Sequence, residues 1–95
     1  IVGTHTHVQT ADNRVFPGGT AFISDLGHCG ALNSSLGVQH QAVVNMFLTQ
    51  MPHKFEVDKK PPFVLSGAYI DVDRDSGKSL AIERIRIFCI LFTLR

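Results

Sequence analysis

The sequence predicts an α/β domain built mostly from strands, with one main helix. Three patterns carry that expectation. Val43, Val44, Phe47, Leu48 and Met51 recur at helical spacing within Gln39–Met51, and Pro52 ends the run because proline lacks the amide donor a helix needs. Phe63–Asp73 and Ser79–Phe92 are extended, and their apolar residues roughly alternate with small or polar ones. Pro17-Gly18-Gly19 lies between Arg14-Val15-Phe16 and Thr20-Ala21-Phe22-Ile23, which reads as a hairpin: proline presets φ and glycine supplies positive φ.

The remaining elements follow in chain order. Ile1-Val2-Gly3 reads as the end of a buried strand, and Thr4–Thr10 as a loop or extended segment. The second hairpin strand ends at Ser24-Asp25-Leu26-Gly27. His28–Gly37 is small and polar and reads as a loop. Phe55-Glu56-Val57 alternates as a short strand before Pro61-Pro62 breaks it. Arg74–Lys78 is a turn, so Phe63–Asp73 and Leu80–Ile87 are expected to pair as an antiparallel hairpin. The alternation slips near Glu83-Arg84, where a bulge would fit. The helical stripe is expected to be core.

The chain has 95 residues, enough for one small domain. Hydrophobic residues are 44% and charged residues 18%, the balance of a globular chain. A formal charge of +1 gives no basic surplus for nucleic acid or an anionic membrane. The longest apolar stretch, Ile87–Phe92, is six residues and too short to span a bilayer as a helix. No signal peptide is expected at Ile1-Val2-Gly3-Thr4-His5. Two cysteines make no disulfide framework, so a cytoplasmic protein with reduced thiols is expected. Because the first residue is Ile and the chain opens inside an apolar run, a piece of a longer protein is also expected.

The sharpest chemistry is Gly3-Thr4-His5-Thr6-His7. On an extended backbone, residues two apart share a face, so His5 and His7 are placed to converge on one metal ion, or one to bind metal while the other contacts substrate. Neutral imidazole suits Zn, Mn or Fe, and the hydroxyls of Thr4 and Thr6 are placed to orient the rings. Gly3 would let the backbone bend at the strand end. Spacing alone is a weak signal, equally met by two polar residues on an exposed loop.

The longer context is more specific. Residues 1–14 (Ile-Val-Gly-Thr-His-Thr-His-Val-Gln-Thr-Ala-Asp-Asn-Arg) are followed by Pro17-Gly18-Gly19-Thr20-Ala21 and Ile23-Ser24-Asp25-Leu26-Gly27. With Ser35-Leu36-Gly37-Val38, Phe47-Leu48-Thr49, Lys54–Val57, Asp71-Val72-Asp73, Gly77-Lys78 and Ile82–Ile85, this run closely resembles the C-terminal part of the YmdB-like metallophosphoesterases. These are bacterial members of the calcineurin-like dimetal phosphoesterase superfamily. The resemblance implies that residues 1–95 are the C-terminal portion of a four-layer α/β/β/α sandwich. It implies a dinuclear centre of divalent ions (Fe, Mn or Zn, two per intact site) with His5 and His7 as its last two ligands. It also implies hydrolysis of phosphodiesters, with 2′,3′-cyclic nucleotides as the substrate class. Metals in such a centre lower the pKa of a water and neutralise charge on the phosphoryl oxygens.

The family's other ligands sit on earlier strands, and nothing in these residues matches them. A dimetal centre takes roughly seven to eight protein ligands, so the isolated chain is expected to be inert. Asp12, Asp25 and His28 are the nearby residues available for a self-contained site, although Asp12 is expected to cap the turn at Asn13. Asp71-x-Asp73-x-Asp75-Ser76-Gly77 misses the spacing of a calcium loop by one residue and reads as a polar hairpin turn. The apolar Phe88–Arg95 tail departs from the family pattern and reads as an extension or a strand covered by a partner. The competing reading is a non-catalytic β-rich interaction module, self-associating as a homo-oligomer through open sheet edges.

Overall fold

The structure is a computed structural model, and it describes residues 1–90. It divides into two compact units. One comprises Ile1–His28 with Leu65–Ile87; the other comprises Cys29–Val64 with the segment that begins at Phe88.

In the first unit, β1 (Arg14–Val15) and β2 (Ala21–Phe22) form the expected hairpin, with Arg14 opposite Phe22 and Val15 opposite Ala21. Its turn closes through Phe16 N donating to Thr20 O (2.8 Å) and Gly19 N donating to Phe16 O (2.8 Å). Gly19 takes φ 95°, the conformation for which glycine is suited. The Phe16 ring lies 5.5 Å from that of Phe22 and carries the Arg14 guanidinium 4.5 Å above its centroid.

Ile1–Gly3 pairs in parallel with the segment after β2, through Ile23 N to Ile1 O, Gly3 N to Ile23 O and Leu26 N to Gly3 O. The expected buried strand is not formed: the pairing is an isolated bridge, Ile1 and Val2 are exposed, and the buried member of the pair is Ile23. Gly3 is required for a different reason from the one expected. A Cβ there would collide with the carbonyl oxygen of Ser24, so the residue permits close approach of two backbones.

The core of this unit is Ala21, Ile23 and Ile82, with Val15, Leu26, Ala68 and Ile70 packed against them. Ala68 and Ile70 come from the strand Phe63–Val72, and Ile82 from the strand Ser79–Cys89. These strands are hydrogen-bonded neighbours. A connection of a few residues permits only an antiparallel pair. Their turn closes through Asp73 N to Lys78 O and Gly77 N to Asp73 O, both 2.8 Å. The Asp73 carboxylate accepts from Ser76 Oγ (2.6 Å) and Asp75 N (3.3 Å), and the Ser76 hydroxyl above all holds its pKa below the ordinary value. This is the polar hairpin turn expected there. On the second strand Ile82 is buried and Ile85, three residues on, is half-buried.

In the second unit the stretch expected to be a loop contains a short strand, β3 (Gly30–Ala31). It pairs antiparallel with the first two residues of β4 (Phe63–Val72), with Gly30 opposite Val64 and Ala31 opposite Phe63. Two residues are too few to show a period in sequence. At Ser35–Val38 the end residues exchange both backbone hydrogen bonds, and Leu36 (φ 53°) and Gly37 (φ 95°) are both left-handed, as a type I′ turn demands. Phe55–Val57 does not form the expected strand: Val57 makes one isolated bridge to Val38, and Gln39 N donates to Glu56 O.

The helix α1 spans His40–Thr49, shorter than expected, because Gln50 turns left-handed (φ 60°) and donates its N–H to Met46 O before Pro52 is reached. The expectation that its apolar stripe is core fails for the described residues. No helix residue is buried, and Phe47 and Leu48 are 68% and 77% exposed. Among the described residues, the buried ones of this unit are Ala31 and Val64, too small a set to cover such a stripe. The last strand, β5, is Ser79–Cys89; the part of the apolar tail from Leu91 onward lies outside the described residues.

Two substitutions test these contacts in the full-length protein. Gly3→Ala is expected to lower its unfolding free energy by about 1–3 kcal/mol, the range for overpacking. Gln9→Ala is expected to cost about 1–3 kcal/mol, since the half-buried Nε2 lies within bonding reach of Leu26 O (3.3 Å), Gly67 O (3.0 Å) and Ile85 O (3.0 Å), which would lose a donor. Urea denaturation monitored by circular dichroism measures both.

Candidate metal-binding loop

His5 and His7 lie on the exposed loop that follows the Ile1–Gly3 pairing. Residues 5–8 are bent, and His7 has φ 67°. The same-face rule for extended chain therefore does not apply here. A left-handed conformation at a residue other than glycine is uncommon and persists only where the surroundings impose it. The backbone from which the two imidazoles project is shaped by the hydrogen bonds that bend the loop.

Those bonds converge on Asp25, which is 3% exposed. Its Oδ2 accepts from His5 N (2.9 Å), Thr6 N (2.6 Å) and Thr6 Oγ1 (2.7 Å), and its Oδ1 accepts from Gly27 N (2.9 Å). The Gly27 N–H and then the Thr6 hydroxyl hold the Asp25 carboxyl far below the ordinary carboxylate range. Gly27 reaches this position at φ 88° and packs against Gln9 and Ser66, where a Cβ would be crowded.

The Thr6 hydroxyl does not orient an imidazole, contrary to expectation. Its one proton goes to Asp25 Oδ2, the shorter contact, and its oxygen accepts from Val8 N (3.2 Å). Thr4 is exposed. His28 braces the loop from another side: its Nδ1 lies 3.2 Å from His7 O. A carbonyl can only accept, so the proton sits on Nδ1. His28 Nε2 is buried and without a hydrogen-bond partner among the described residues.

Asp12 does not cap the turn at Asn13. It accepts from Ser24 N (3.1 Å), Thr10 Oγ1 (2.7 Å) and Ser24 Oγ, tying the end of the loop to the chain after β2. The Ser24 and Thr10 hydroxyls, in that order, lower its pKa from the ordinary 3.8 to about 2.

Among the described residues no three His, Cys, Asp or Glu side chains are grouped to hold a metal ion. Asp25 accordingly does not join His5 and His7 as a third donor. The two imidazoles are donors of the chemistry a first-row divalent ion takes, exposed on a loop of imposed shape. Sequence reading missed Gln9 and the anchoring role of Asp25. Spacing could signal neither, because both act on backbone groups distant in sequence.

The architecture and the loop define a strand-rich α/β domain with a fixed His-Thr-His loop. The chain belongs to the YmdB-like protein family, whose pattern matches residues 1–85. It is 46% identical over 87 residues to the 2′,3′-cyclic-nucleotide 2′-phosphodiesterase of Bacillus subtilis (strain 168), an overlap of 92% of this chain and 33% of that protein. Among solved structures it superposes on one described as a novel phosphatase from Mycoplasma pneumoniae, with a TM-score of 0.86, 37% identity, and coverage of 95% of this chain and 32% of that one. It also matches a hypothetical protein from Thermus thermophilus, with a TM-score of 0.82, 28% identity, and coverage of 92% and 33%. The chain spans about a third of the length of these relatives.

The depressed pKa of Asp12 sets a pH dependence. A carboxyl whose folded pKa lies below its unfolded one contributes stability that is fully present above the unfolded value, near 4, and is lost as pH falls through the folded value. Asp25 acts in the same direction. The urea midpoint of the full-length protein is expected to fall between about pH 4 and pH 2, and Asp12→Asn to flatten that fall.

Proposed function

We propose that the protein to which this chain belongs is a metal-dependent phosphodiesterase acting on 2′,3′-cyclic nucleotides. In this reading His5 and His7 are ligands in a dinuclear centre of Fe, Mn or Zn ions. The observation that carries it is the Gly3–His7 element, held in a fixed bent conformation inside a family match that runs through residues 1–85. The Bacillus subtilis relative, named for that activity, supports the substrate class.

The bound metals would supply positive charge for the phosphoryl oxygens and a water acidic enough to act as nucleophile near neutral pH. The chain's own part is to present two neutral imidazoles as donors and to keep their loop from relaxing. The hydrogen bonds from His5 N, Thr6 N and Thr6 Oγ1 to Asp25 do the latter. The remaining ligands, and the group that protonates the leaving oxygen, come from the part of the domain that the longer relatives contain. The same part would complete a four-layer α/β/β/α sandwich and cover the apolar stripe of α1. That the stripe is exposed here favours this arrangement.

The test is substitution in the full-length protein. His5→Ala and His7→Ala are each expected to reduce bound divalent metal, measured by elemental analysis, and to lower 2′,3′-cyclic nucleotide hydrolysis by more than about 100-fold. That exceeds the roughly 10–100-fold loss typical of an outer-sphere partner. Unchanged metal content and turnover in both variants would refute the ligand assignment.

A further inference from the structure

We propose that Asp25 is a positioning residue for the metal-binding histidines: its carboxylate shapes the loop so that His5 and His7 are presented together, and it does not itself bind metal. This rests on the reading of His5 and His7 as ligands.

A carboxylate can accept at about four lone-pair sites. Asp25 receives four hydrogen bonds, three on Oδ2 and one on Oδ1. Oδ2 is saturated by the His5 and Thr6 donors, and Oδ1 is taken at one of its two sites by Gly27 N–H, so the oxygen that faces the histidine loop is committed to N–H and O–H donors. The donors also identify the role. Two are the backbone amides of His5 and of Thr6, the residue between the histidines, and the third is the Thr6 hydroxyl. Gripping consecutive amides on one oxygen fixes where the His5 Cα sits and how the chain enters His7.

The grip is rigid from behind as well. Asp25 N donates to Thr10 Oγ1 (3.0 Å), and Thr10 N donates to Asp25 O (3.1 Å), so the aspartate is locked to the far end of the same loop. Both ends of residues 5–10 thus close on one residue. Within that closed segment Thr6 Oγ1 accepts from Val8 N and His28 Nδ1 reaches His7 O, while His7 takes its left-handed conformation. Release of Asp25 would free the loop to relax His7 toward an ordinary conformation.

Asparagine is nearly the same size but replaces one acceptor oxygen by an NH2 donor. Whichever way the amide turns, NH2 faces either Gly27 N or the Thr6 and His5 donors. The experiment uses the full-length protein with cobalt(II) as probe, reading affinity by competition titration and geometry by the visible d–d bands. A thermal melt serves as the fold control. Asp25→Asn is expected to weaken cobalt binding at least about 10-fold and to shift the bands. Thr6→Val, which removes one of the four donors, is expected to weaken it less in the same direction, and Thr6→Ser to restore it.

A folded Asp25→Asn with wild-type affinity and bands would overturn the inference. If Asp25→Asn does not fold, the Thr6 pair decides: equal cobalt binding in Thr6→Val and Thr6→Ser overturns it, and rescue by serine supports it. His5→Ala and His7→Ala run beside them separate the two layers. If neither alters cobalt binding, the ligand reading falls and takes the inference with it; if they abolish binding while Asp25→Asn does not alter it, only the inference falls.

Discussion

A carboxylate removed from water must find donors, because an uncompensated buried charge costs more than a small domain can absorb. At Asp25 the donors are backbone amides and one hydroxyl, supplied by His5, Thr6 and Gly27. That need dictates much of the local structure. The chain must fold back after Gly3 to bring the amides of residues 5 and 6 onto one oxygen, and it must turn left-handed at Gly27 to bring a third amide onto the other. Gly3 makes the approach possible by leaving room for the Ser24 carbonyl oxygen. The bent His-Thr-His loop follows from charge satisfaction, and the exposed imidazoles are what the bend presents.

Around that point the first unit is tied by side-chain bonds to main-chain groups far away in sequence. Gln9 reaches carbonyls in both long strands and after β2, Asn13 Nδ2 donates to Ile82 O (3.2 Å), and Asp12 holds Ser24. The apolar core is small, with Ile23 its one large side chain wholly out of solvent among the described residues. The loop's shape therefore depends on polar contacts more than on packing. Polar contacts are directional, and a metal ligand must be held within a fraction of an ångström; a loop fixed in this way suits that demand.

The sequence made some of this legible and hid the rest for physical reasons. The Pro17-Gly18-Gly19 hairpin and the long final hairpin follow from turn chemistry and alternation, which are local, and both stand in the structure. The helix is visible from its period, but its end at Thr49 is set by Gln50 turning left-handed, which no spacing reports. β3 escapes notice because pairing of two residues leaves no pattern. His5 and His7 stand out by spacing and by family resemblance, yet the same-face geometry of an extended backbone does not hold at φ 67°. Asp25 is visible in sequence only as a nearby acidic residue and a candidate ligand. Its bonds to His5 and Thr6 cross 20 and 19 residues, a separation at which sequence pattern carries no information.

The most direct measurement is anomalous diffraction from crystals of the full-length protein grown with zinc and collected at the zinc edge. The account predicts metal peaks with imidazole nitrogens of His5 and His7 about 2.0–2.1 Å away, and both Asp25 oxygens still bonded to their amide and hydroxyl donors. A peak coordinated by Asp25, or metal bound with both imidazoles turned away from it, would contradict it.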